Sequence, residues 1–109
     1  MNDAQSKFSL LLVDDEPSVL SVLEEIFSKE GYHIHTALSG HDALAILGGA
    51  RVDAALIDLK MPGMDGLSLL KEIRNSYPLT MVIILTGYGG VDDAVEAIKL
   101  GATGRYSPP

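Results

Sequence analysis

FSLLLVDDEP (residues 8–17) sets an apolar run directly against three acids and a proline. Phe8 to Val13 has the short, continuous hydrophobicity of a strand buried on both faces. The residues after the acids have another period: Val19, Leu20, Val22, Leu23, Ile26 and Phe27 recur at helical spacing as one apolar stripe. Pro17 suits the first helical turn, where its missing N–H costs nothing, and Gly31 suits the stop. The unit is strand, acidic loop, helix.

That unit repeats. Tyr32 to Ala37 reads as a second strand, and Ser39 caps a second helix through Ala43, Leu44, Ile46 and Leu47, with two glycines after it. Asp53 to Asp58 is a third strand, KMPGMDG a loop, and Leu67, Leu70 and Ile73 mark a third helix ending near Asn75. Met81 to Thr86 is a fourth strand; Val91, Ala94, Val95 and Ile98 mark a fourth helix closed by Gly101, and Thr103 to Ser107 a fifth strand. Strands alternating with helices imply right-handed βαβ units around a parallel sheet. The expected fold is α/β, flavodoxin-like and doubly wound, with strand order 2-1-3-4-5 and its crevice at the carboxyl ends of the strands.

A chain of 109 residues suits one domain, and 47% hydrophobic with 21% charged residues is a globular composition. There are no cysteines, so disulfides and thiolate metal sites are excluded. The opening MNDAQSK is polar, and the longest apolar run, Met81 to Leu85, is far below the roughly 20 residues of a membrane span. A soluble, cytoplasmic protein is expected. Eight basic against fifteen acidic residues give a net charge of −7, which argues against a nucleic-acid partner.

In the expected fold the carboxyl ends of the first, third and fourth strands lie together. They carry Asp14 and Asp15, then Asp58, then Thr86. Singly, such acids serve as helix caps or turn formers. Together they repel, and an oxygen-only set without His or Cys suits a hard cation such as Mg²⁺. Carboxylates, Mg²⁺ and a hydroxyl are suited to phosphoryl chemistry with an aspartate as nucleophile. His33 and His35 share one face of the second strand, which is expected to be a solvated edge.

LLVDDEP (11–17), LIDLKMPGMDG (56–66), VIILTGYG (82–89) and AVEAIKLGA (94–102) together resemble the receiver domains of two-component response regulators. The last two stretches look most like receivers attached to transcriptional regulators. The resemblance implies that Asp58 is the phosphoacceptor, supplied by a sensor histidine kinase or phosphotransfer protein in a phosphorelay. It implies Mg²⁺ held by Asp15, by Asp14 largely through water, by Asp58 and by the backbone carbonyl of Lys60. Thr86 would be the switch hydroxyl, and Gly87 would leave room for the phosphodonor.

The last residues depart from the family. Receivers resemble GAxDYLxKP here, whereas this chain reads GATGRYSPP, so Pro108 takes the place of the lysine that pairs with the phosphoryl group. Arg105 takes the place of the aromatic switch, and the fifth helix of the family is expected to be missing after the fifth strand. Relative to the family, the single domain 1–109 is truncated at its C-terminus. The sheet face beside the first helix is therefore expected to be uncovered, which would invite homo-oligomers. Three functions stay open: a phosphorylatable receiver, a receiver-shaped protein-binding module independent of phosphate, and a small Mg²⁺-dependent phosphatase. The last is opposed by Lys60, which stands two residues after Asp58 where a general acid would be needed.

Overall fold

The computed structural model describes residues 7–58, 66–85 and 91–102. In chain order the elements are β1 (Ser9–Val13), α1 (Pro17–Ser28), β2 (His33–Ala37), α2 (Gly40–Gly49), β3 (Ala54–Ile57), α3 (Gly66–Ser76), β4 (Met81–Ile84) and α4 (Val91–Ala102). The strands form one parallel sheet in the order β2-β1-β3-β4, the doubly wound order expected. The expected fifth strand falls on 103–107, outside the described residues.

Local chemistry explains the element ends. Pro17 opens α1, and past its last turn Gly31 adopts φ 80°, the left-handed backbone that glycine takes without a Cβ clash. The Ser39 hydroxyl accepts the Asp42 N–H at 3.1 Å, capping α2 as its sequence predicts. Gly48 and Gly49 lie inside α2 rather than after it, and α4 runs through Gly101 to Ala102. Asp53 sits just before β3. Its carboxylate accepts the Ser9 N–H at 2.7 Å and lies 3.3 Å from the Arg51 guanidinium, so it anchors the start of β3 to β1. The Thr80 hydroxyl donates to the Val52 carbonyl at 2.8 Å and holds β4 at the same end.

Strand alternation divides the core in two. Leu10 and Leu12 of β1, Ala54 and Leu56 of β3 and Ile83 of β4 face α1 and α4, where Leu20, Leu23, Phe27, Ala94 and Ile98 close over them. Leu11, Val13, Ala55 and Ile57 face α2 and α3, against Ala43, Leu47, Leu69 and Ile73. This corrects the expected bare face beside the first helix: α4 covers it, and Leu10, Leu12, Leu56 and Ile83 are at most 1% exposed. With that face closed, the homo-oligomer expected through it loses its basis. Val22 and Leu67, counted among the apolar helix positions, are 56% and 50% exposed. Val22 stands one residue, about 100° around the helix, from buried Leu23 and so turns off the sheet.

The edge strand β2 is less solvated than its sequence suggests. His33 is exposed, but His35 is half-buried, and its Nε2 is buried with no hydrogen-bond partner among the described residues. The two rings lie 4.8 Å apart. Burial, and secondarily the His33 charge, lower the His35 pKa. Below pH about 6.5 the unfolded chain therefore takes up a proton that folded His35 resists, and stability falls with acidification.

Two measurements test this packing. Denaturant midpoints at pH 7.5 and 5.5 are expected to fall more for the wild type than for His35→Gln; equal falls would remove His35 as the cause. Phe27→Ala is expected to cost about 3–5 kcal/mol and Ser39→Ala about 1 kcal/mol in chemical denaturation.

Candidate functional site

Parallel pairing delivers the acids to one edge. The β1–β3 register sets Val13 beside Ile57, so Asp14 and Asp58 each leave the sheet one residue later, side by side. Backbone bonds hold them there: the Asp14 N–H donates to the Ala37 carbonyl at 3.1 Å, and the Asp58 N–H to the Val13 carbonyl at 3.0 Å. One carboxylate oxygen each from Asp14, Asp15 and Asp58 lies within 4.8 Å of the others.

Capping does not explain these acids. The N-cap of α1 is Glu16, in extended conformation, and its side chain makes no cap bond. Asp14 instead accepts the Glu16 N–H through Oδ1 at 2.9 Å. Glu16 was not singled out by its sequence pattern, although the DDE run carries it; here its backbone orients Asp14 and its charge adds to the cluster.

Asp14 is 3% exposed, whereas Asp15 and Asp58 are more open to solvent. Desolvation is the main cause that raises the Asp14 pKa, with the charges of Asp58, Asp15 and Glu16 adding to it and the Glu16 N–H bond opposing it. Two like charges about 5 Å apart repel by roughly 3 kcal/mol at an effective dielectric of 20. A desolvated carboxylate facing two others, with oxygen donors only, fits a hard divalent cation such as Mg²⁺.

The structure thus brings Asp14, Asp15 and Asp58 together as expected. Lys60, Thr86, Gly87, Arg105 and Pro108 lie outside the described residues. What is described of β4 brings Ile84 beside Ile57, so β4 ends at the same edge as β1 and β3.

Comparison with known proteins agrees with this site. The family model described as response regulator receiver domain matches residues 10–106. Sporulation initiation phosphotransferase F of Bacillus subtilis is 40% identical over 100 residues, covering 92% of this chain and 81% of that protein. Regulatory protein AtoC of Escherichia coli is 41% identical over 93 residues, which are 85% of this chain and 20% of that protein. Among solved structures, response regulator protein TrrA of Thermotoga maritima, in complex with Mg²⁺-BeF, superposes with a TM-score of 0.68 at 36% identity. That match covers 71% of this chain and 67% of that one. A chain of the complex between histidine kinase ThkA and TrrA matches with a TM-score of 0.69 at 38% identity, covering 74% of this chain and 70% of that one.

Because the Asp14 charge is disfavoured by its surroundings, Asp14→Asn is expected to raise the melting temperature in the presence of a chelator. The amide oxygen can still accept the Glu16 N–H. A lower melting temperature would mean that the Asp14 charge supports the fold.

Proposed function

The chain belongs to the response regulator receiver domain family, and on that premise we propose that Asp58 accepts a phosphoryl group from a partner's phosphohistidine in a Mg²⁺-dependent transfer. The observation that carries this reading is the triad of carboxylates within 4.8 Å at the carboxyl edge of the sheet. An Asp58 carboxylate oxygen attacks phosphorus, the P–N bond breaks, and the imidazole leaves with the bonding pair to be reprotonated. The product is an acyl phosphate on Asp58.

Asp14, Asp15 and Asp58 would hold the ion, with the Lys60 carbonyl as a further ligand. Bound Mg²⁺ supplies positive charge that offsets the charge of the phosphoryl oxygens. The chain's own part is orientation: the Val13 carbonyl fixes the Asp58 backbone, and the Glu16 N–H fixes Asp14. In this reading Thr86 supplies the switch hydroxyl and Gly87 leaves room for the donor. The chain is a phosphoacceptor in two-component signalling rather than a turnover enzyme.

Support for the partner comes from TrrA, which was solved with a histidine kinase, and for the ion from TrrA with Mg²⁺-BeF. The chain spans about a fifth of AtoC, so an output in transcription would belong to residues beyond those matched. No helix among the described residues is long and apolar enough to cross a membrane, and we place the phosphotransfer in the cytoplasm. Pro108, where the family carries lysine, favours a second reading in which the fold binds a partner without phosphate.

Intact mass after incubation with acetyl phosphate and Mg²⁺ separates the two readings. The wild type is expected to gain one phosphoryl group, and Asp58→Ala or added chelator to abolish the gain. Asp15→Asn should weaken Mg²⁺ binding by at least the roughly 10- to 100-fold lost with an outer-shell partner. An unmodified wild type, or equal labelling of Asp58→Ala, would end the phosphoacceptor reading.

A further inference from the structure

His33 and His35 are not two separate solvated side chains on an edge strand. In the β1–β2 register His33 stands beside Ser9 and His35 beside Leu11. Register partners in parallel strands share a face, and Leu11 belongs to the core under α2 and α3. Both rings and the Ser9 hydroxyl therefore leave the sheet on that side. Two residues along a strand span roughly 6.6 Å. The ring centroids are only 4.8 Å apart, so the rings lean together.

Two polar atoms at this place lack what buried polar atoms ordinarily have. His35 Nε2 and Ser9 Oγ are both buried, and neither has a hydrogen-bond partner among the described residues. Ser9 as a whole is 5% exposed. Burial lowers the His35 pKa and so keeps the ring neutral near pH 7, the form in which imidazole binds a metal. His33 is exposed, and rotation of its side chain makes room beside the His35 ring.

We propose that His33 and His35 form a metal site apart from the acids, for a late first-row divalent cation such as Zn²⁺, Ni²⁺ or Cu²⁺. Imidazole suits these ions, whereas Mg²⁺ takes oxygen. The spacing fits. With a metal–nitrogen bond of about 2.0–2.1 Å, an imidazole centroid stands roughly 3.2 Å from the ion. Two centroids 4.8 Å apart then subtend roughly 100° at it, close to both square-planar and tetrahedral angles. His35 binds through Nε2 and His33 through one ring nitrogen. Among the described residues no third His or carboxylate completes a group with them, so water fills the remaining positions. One such water donates to Ser9 Oγ, and both orphaned atoms gain partners. Asp14 follows Val13, the register partner of Ala37, so it lies about 10 Å beyond His35 and about 16 Å beyond His33 along the strands. The proposal does not rest on phosphoryl chemistry at Asp58.

Calorimetric titration with Zn²⁺ in excess Mg²⁺, which occupies the acid cluster, tests the pair. The wild type is expected to bind one Zn²⁺, and the nitrogen-15 resonances of the His33 ring and of His35 Nε2 to move together. His33→Gln and His35→Gln should each weaken binding more than about tenfold, because a lost ligand costs more than a lost outer partner. Ser9→Ala removes only an outer partner and should weaken it about tenfold; an unchanged affinity would take the hydroxyl out of the site. His41→Gln, the control on the remaining histidine, should bind as the wild type does. Zn²⁺ should also raise the melting temperature of the wild type and not that of His35→Gln. Cooperative melts tie each variant's affinity to folded chain. Equal Zn²⁺ affinity in the wild type and His35→Gln would assign the ion to another place and overturn the proposal. No movement of the His35 Nε2 resonance would leave the two buried atoms with water only, and would overturn it as well.

Discussion

Val13 and Ile57, paired in register between parallel strands, are the contact on which the site depends. Both are buried, so a shift of one residue would turn apolar side chains of β1 or β3 to the wrong face of the sheet. Dry packing on both faces therefore locks the register, and the locked register puts Asp14 and Asp58 on adjacent strand ends. The Asp58 N–H bonded to the Val13 carbonyl is the last rung of that ladder. Acids that repel one another are held together by hydrophobic burial some residues away.

The same burial makes Asp14 costly. It is nearly enclosed, its charge is disfavoured first by desolvation, and the neighbouring acids add to that. A fold that tolerates such a cluster gains from a cation that binds the folded chain but not the unfolded one. The site's readiness for Mg²⁺ and its electrostatic strain are two aspects of one arrangement.

Much of this was legible in the sequence. The order β2-β1-β3-β4 follows from apolar runs alternating with helical stripes, and the acid triad from residues placed just after those runs. Less legible were side chains whose fate depends on direction rather than type. Val22 and Leu67 carry the composition of a core and the exposure of a surface, because helix rotation is set by packing against the sheet. His35 belongs to a strand that looks solvated, yet its Nε2 is buried because β2 lies under a helix on each side. Gly48 and Gly49 read as a stop, but α2 includes both.

By itself the sequence determined the alternation of elements, the parallel sheet and the identity of the clustered acids. These depend on local period and on rules of connection that hold from one protein to another. Only the tertiary structure decided which face α4 covers. Ala94 and Ile98 are buried with Leu20, Leu23 and Phe27, and Lys99 stands beside Glu30, residues more than sixty positions away in the chain. Periodicity shows that a helix must bury a stripe, but which surface receives it depends on the free energy of contacts between distant segments.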